Sequence, residues 1–213
     1  MQNKLRVGIA GYGVVGHRRR EVIDQNPNLE TVAVSDKLLP EGAVDDGVRC
    51  FSDAYSLMAE NLDILFVSLP NDLAPKVTIE GLKQGCHVFC EKPLTLDPKK
   101  DQELCDLAKT SNLKLVVGYT FLFNNSVRKL KELIDNGRMG QLYYLTATRT
   151  HMGLVREDAS VIWDLAPHDV AIMNYLLDSV PERVSAVGGQ PLGLDVPDVA
   201  FINLFYPNKI FIE

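Results

Sequence analysis

The stretch Leu5 to Gly16, LRVGIAGYGVVG, constrains the fold most. An apolar run of strand length passes into Gly11-Tyr12-Gly13-Val14-Val15-Gly16, a G-x-G-x-x-G pattern, and then into a helical stretch. Asp36 stands twenty residues after Gly16, at the end of the next apolar run, Thr31 to Ser35. A strand, a glycine turn that opens a helix, a second strand and an acid at that offset are the parts of a dinucleotide-binding βαβ unit. Gly11 permits the tight turn, Gly13 lets the backbone approach a pyrophosphate, and Gly16 lets helix and strand pack closely. The N–H groups of the first helical turn, where Val14 and Val15 lie, face the phosphate charge. Asp36 can accept hydrogen bonds from ribose hydroxyls and repels a 2′-phosphate, which predicts NAD. Lys37 beside it offsets part of that repulsion and keeps NADP open.

The alternation of apolar runs and amphipathic stretches extends this unit into a parallel sheet with crossover helices. After Leu5 to Ala10, the pattern predicts a helix over Val14 to Gln25, stopped by Asn26-Pro27, and a helix over Ser52 to Glu60 capped by Ser52. A buried strand over Asp63 to Leu69, a helix over Leu73 to Gln84 closed by Gly85, and a strand over Cys86 to Cys90 follow. Asp97-Pro98 supplies a cap and a first-turn proline for a helix to about Thr110, and Leu113 to Gly118 is a further strand. Beyond Gly118 the pattern changes. A helix over Asn125 to Asp135, a long strand over Gln141 to Thr150, and a helix over Val161 to Leu177 kinked or broken at Pro167 precede strands at Arg183 to Gly188 and Val199 to Tyr206. Pro207-Asn208 starts a hairpin into Ile210 to Glu213. The chain thus reads as a Rossmann domain over 1–120 and an α+β open-sheet domain over 121–213 for substrate binding and oligomerisation.

Composition narrows the function classes. With 46% hydrophobic and 23% charged residues, the 213-residue chain has the make-up of a soluble globular protein. A net charge of −6 provides no basic surface for nucleic acid or anionic lipid, and Arg18-Arg19-Arg20 is read as a solvated helix face. No apolar run has the length of a membrane span, and the start enters a strand without a signal segment, so a cytoplasmic protein is expected. Cys50, Cys86, Cys90 and Cys105 lack C-x-x-C spacing; they are read as buried free thiols, and no metal site is predicted. In Val199 to Tyr206, Ala200, Ile202 and Leu204 alternate with Val199, Phe201 and Phe205, so both faces are apolar. Such a strand needs a cover on each side, which predicts a homo-oligomer.

Two stretches carry candidate chemistry. VFCEKPL runs from an apolar strand into Glu91-Lys92-Pro93, and strand ends in open α/β sheets are where ligands bind. WDLAPHDV places Asp164 and His168 four residues apart, a spacing that shares one face of a helix. Lys92, Asp164 and His168 suit alcohol oxidation if the fold brings them together.

GIAGYGVVG, VSLPNDL, GCHVFCEKPL and the D-x-x-x-H of WDLAPHD together resemble the Gfo/Idh/MocA family of oxidoreductases, named for glucose–fructose oxidoreductase and inositol dehydrogenase. The likeness covers essentially the whole chain and implies a nicotinamide-binding domain followed by a substrate domain on an open, mostly antiparallel sheet. Family members continue further, so the substrate sheet reads as truncated. By this resemblance Lys92 is the lysine of the E-K-P motif, the Lys92-Pro93 peptide is expected to be cis, and Asp164 and His168 face the substrate. Leu69, Pro70, Asn71, Glu91 and Lys92 join the glycine turn, Asp36 and Lys37 around the cofactor. The implied activity is NAD-dependent hydride transfer at a hydroxyl of a sugar, polyol or nucleotide-linked sugar. A non-catalytic NAD-binding sensor or subunit, and an imine or enone reductase of the same architecture, are the alternatives.

Overall fold

The glycine turn lies at the middle of a seven-stranded sheet, in a computed structural model that describes residues 4–40, 42, 44–150, 159–207 and 210–212. The chain divides into two units, Met1–Gly118 and Tyr119–Glu213.

In the first unit, strands β1 (Leu5–Ala10), β2 (Leu29–Ser35), β3 (Val44–Asp45), β4 (Val48–Phe51), β5 (Ile64–Val67), β6 (His87–Cys90) and β7 (Leu115–Val117) are ordered β3-β4-β2-β1-β5-β6-β7. All pairings are parallel except that of β3 with β4. The helices are α1 (Val14–Asp24), α2 (Ala54–Leu57, continued by a 3-10 turn over Met58–Glu60), α3 (Ala74–Lys83) and α4 (Pro98–Thr110). They cover both faces of the sheet. Leu65, Val67, Val88 and Cys90 pack with Leu57, Val77, Leu82 and Leu104 on one side, while Val7, Ile9 and Val34 pack with Ile23 and Cys50 on the other. This double burial is why these strands read as continuous apolar runs.

Several local details differ from the sequence reading. The β3–β4 hairpin was not foreseen, although its turn residues Asp46 and Gly47 have the positive φ of 49° and 81° that an Asp-Gly hairpin turn uses. Asp53, not Ser52, caps α2, accepting hydrogen bonds from the N–H groups of Tyr55 and Ser56 at 2.7 and 3.0 Å. Bonds to Ser56 hold the Asp53 carboxyl below the usual carboxylate range. Cys50, Cys86 and Cys90 are buried free thiols, but Cys105 is exposed. Asp97 caps α4 and Gly85 closes α3 at φ 86°, both as expected.

In the second unit, α5 (Asn125–Asp135), α6 (Val161–Asp164) and α7 (Ala166–Leu177) accompany β8 (Tyr144–Leu145), β9 (Arg183–Gly189), β10 (Val199–Phe205) and β11 (Phe211–Ile212) in a sheet ordered β8-β11-β10-β9. The long strand expected over Gln141 to Thr150 pairs only at Tyr144 and Leu145, where β11 lies alongside; beyond Leu145 no ladder forms among the described residues. Asn208 and Glu213, in the expected hairpin and last strand, lie outside the described residues. Leu204 and Ile212 pack with Met173 and Leu176 of α7 on one sheet face. The opposite face, carrying Tyr144, Val187 and Phe201, is open, and Phe201 is 61% exposed.

Candidate functional site

The chain rises along β1, turns at Gly11 and enters α1, while β5 returns to β1's other side, so strand order reverses between β2 and β5. Ligands in open α/β sheets bind in the crevice at such a point, beyond the carboxyl ends of the strands. Gly11 takes φ 90°, and a Cβ there would fall 2.2 Å from the Ser68 carbonyl oxygen. Gly16 is similarly forced, because a Cβ would lie 2.2 Å from the Gly11 oxygen. At Gly13 a Cβ would meet nothing within 4 Å: the glycine leaves open the space that a phosphate would fill. Gly13 is also the α1 N-cap and has no side chain to satisfy the first N–H groups, while Val14 and Val15 stand exposed. Open donors, no acid in the first turn and room for an anion fit a dinucleotide pyrophosphate.

Asp36 follows β2, and its carboxylate accepts hydrogen bonds from the backbone N–H of Tyr12 at 3.2 Å and of Leu38 at 3.1 Å. The acid is therefore held beside the glycine turn, while Lys37 points to solvent. Leu69, Pro70 and Asn71 follow β5; Leu69 packs near Gly11, and the Pro70 carbonyl accepts from the N–H groups of Leu73 and Ala74 as α3 begins.

Lys92 leaves the carboxyl end of β6. The Glu91 N–H donates to the Val67 carbonyl at 2.9 Å, extending the β5–β6 ladder by one residue, and the Lys92–Pro93 peptide is cis, as expected. Burial pushes the neighbouring Cys90 thiol up to about 11, so it stays protonated and leaves the polar chemistry of this strand end to the residues after it.

The reading of Arg18-Arg19-Arg20 as a solvated face holds only for Arg18. Arg19 Nε donates to Glu91 Oε1 at 3.0 Å and its Nη2 donates to the same oxygen, with the guanidinium 4.7 Å above the Phe89 ring. Arg20 donates to the Tyr12 hydroxyl at 2.8 Å. No local spacing signals the first contact, since 72 residues separate its partners.

In the second unit, Asp164 and His168 do not share a continuous helix. Asp164 ends α6, Leu165 stands between the two helices at φ −106° and ψ −46°, and His168 lies in the first turn of α7 just after Pro167. Proline lacks the N–H that would carry the helix through, so the spacing of four spans a break. Beside His168, sequence reasoning missed a cluster. Arg149 grips Asp169 with two hydrogen bonds of 2.7 and 2.8 Å, lies 4.5 Å above the Phe121 ring, and Phe121 in turn meets the His168 imidazole edge-on at 5.0 Å. The bonds to Asp169 strengthen the hold of Arg149 on its proton. Asp164, Asp169 and Arg149 line a cavity of about 780 Å³ together with Thr146, Met173 and Leu204.

Known proteins share this fold. Residues 5–119 match the family described as "Oxidoreductase family, NAD-binding Rossmann fold", and residues 127–213 match the "GFO/IDH/MocA C-terminal domain". The myo-inositol 2-dehydrogenase of Thermotoga maritima is 26% identical over 86% of this chain and 58% of its own. The scyllo-inositol dehydrogenase of Lactobacillus casei, solved with NAD(H) and scyllo-inositol, superposes at a TM-score of 0.79 with 19% identity over 99% of this chain and 69% of its own. The WlbA dehydrogenase of Bordetella pertussis, solved with NADH and UDP-GlcNAcA, gives 0.84 with 23% identity over 99% and 69%. The chain spans 58–65% of the length of the first curated relatives it matches. Among the described residues no helix is long and apolar enough to cross a membrane.

Proposed function

The chain belongs to the Gfo/Idh/MocA oxidoreductase family, and from that premise we propose that it oxidises or reduces a carbinol carbon of a sugar, polyol or nucleotide-linked sugar with NAD. The observation that carries this reading is Lys92, held directly beyond the β6 ladder at the carboxyl edge of a sheet whose glycine turn fits a pyrophosphate. Gly11, Gly13 and Gly16, with the N–H groups at Val14 and Val15, hold the phosphates. Asp36 takes the adenosine ribose hydroxyls, and Leu69, Pro70 and Asn71 border the dinucleotide at the switch point. Bound nicotinamide supplies the hydride acceptor or donor. Lys92 or His168 accepts the hydroxyl proton in the oxidative direction and returns it in the reductive one, and Asp164 is the orienting, charge-tuning acid. The myo-inositol 2-dehydrogenase among the relatives supports a polyhydroxylated substrate.

Two measurements on the purified protein test this. Lys92→Ala should keep NAD affinity and lose on the order of 10²–10⁴-fold in turnover against a panel of polyols, sugars and nucleotide sugars, the usual contribution of a positioned base. Unchanged turnover refutes the role of Lys92, and NAD binding with no turnover by the wild type favours a sensor or subunit. Titration should show NAD tighter than NADP, with the preference reduced in Asp36→Ala; equal or tighter NADP binding by the wild type refutes the assignment of Asp36.

A further inference from the structure

Lys92 sits between two fixed points. On its N-terminal side Glu91 is bonded into the sheet at Val67; on its C-terminal side Leu94 and Thr95 are 7% and 3% exposed, and Thr95 Oγ1 closes a turn by accepting from the Asp97 N–H at 2.9 Å. What fixes the Glu91 side chain comes from α1. Arg19 places two donors on Oε1 while its guanidinium lies over Phe89, itself stacked on Phe66 at 5.0 Å. Oε2 is walled from the other side by the exit of β7, where a Cβ on Gly118 would fall 2.7 Å from it. A charge-assisted grip at a half-buried site holds geometry better than an exposed ion pair does.

We propose that Arg19 is a positioning residue for the reaction: through Glu91 it sets the bearing of Lys92 and ties the helix that receives the pyrophosphate to the residue working at the substrate. This rests on the catalytic reading of Lys92. Arg19 lies six positions beyond Gly13, past the first turn of α1, and its guanidinium is committed to Glu91 and Phe89, so it acts through Lys92 and not on the phosphates.

The test separates binding from turnover. NAD affinity by calorimetry, kcat and KM are measured for wild type, Arg19→Ala, Arg19→Lys and Lys92→Ala, and for Arg19→Ala combined with Lys92→Ala, all in the full chain. Arg19→Ala should lower kcat by roughly 10- to 100-fold, as small misplacements of reacting groups do, with NAD affinity and KM held within about twofold. Arg19→Lys should restore part of the loss, because lysine keeps the charge but not the planar fork. In the Lys92→Ala background the Arg19 substitution should add nothing, since residues that act as one unit are not additive. An unchanged kcat, a parallel fall in NAD affinity, or a full further loss on top of Lys92→Ala overturns the proposal. Should Arg19→Ala fail to fold, Arg19→Lys carries the same comparison, and a kcat equal to wild type overturns the proposal there. If Lys92→Ala itself retains turnover, the proposed function fails and takes this inference with it; failure at Arg19 alone leaves the role of Lys92 standing.

Discussion

The two units solve the burial of a sheet differently. In Met1–Gly118 both sheet faces lie under helices: Leu65 and Val67 on one side and Val7, Ile9 and Val34 on the other are fully buried. Among the described residues of Tyr119–Glu213, one sheet face packs against helices, and Val187, Phe201 and Tyr144 stand 72%, 61% and 67% exposed on the other. A parallel sheet has its covering layers built in, because each crossover must lay a helix on a face. The antiparallel β9–β10 pair requires no crossover, so its cover depends on something besides its own connections.

The largest expected effect that would break this comparison lies in the doubly covered sheet. Leu65 is fully buried, its Cδ2 filling the space above Gly81 of α3, and Leu65→Ala should cost about 2–5 kcal/mol of unfolding free energy in denaturant titration. A cost below about 1 kcal/mol would mean that this face is no better packed than the open one.

A smaller effect sharpens how the covering layer is attached. Asp53→Ala removes the α2 cap and should cost about 1 kcal/mol at neutral pH. Because hydrogen bonding to Ser56 holds the Asp53 carboxyl below its ordinary 3.8, the stability it adds is present above that value and is lost as pH falls through the lowered one. The gap between wild type and variant should therefore narrow on acidification below about pH 3.8; a gap independent of pH would remove the charged cap as its cause.

The smallest effect on folding belongs to the open face. Phe201→Ser should change the stability of the isolated chain by less than about 0.5 kcal/mol, as exposed substitutions do. We propose that a second copy covers this face, since apolar patches of this kind are uncommon on monomers. The wild type should then have at least a dimer's mass in solution and the variant a smaller one. A monomeric wild type would sink that proposal.

How much of this was legible beforehand depended on the range of the interaction. The glycine turn, Asp36 at its offset, the Asp97 cap and the Gly85 closure were readable because each is a local conformational demand written within a few residues or one βαβ unit. The helix break near Pro167 was readable too, but its consequence for Asp164 and His168 was not: a spacing of four implies one face only while the helix continues. The strand over Gln141 to Thr150 failed for the complementary reason, since a ladder needs a partner and β11 meets it at two residues only.

The sequence by itself determined the βαβ frame, the position of the phosphate turn and the placement of Lys92 at a strand exit, because glycine conformation, helix capping and apolar periodicity are properties of short segments. Tertiary structure alone decided that Arg19 is a partner of Glu91 and not a solvated charge, and that Arg149, Asp169, Phe121 and His168 form one cluster. Those contacts join residues 72 and 20 apart in the ion pairs, and which charges meet at such separations is set by the packing of whole elements, a quantity that no local spacing encodes.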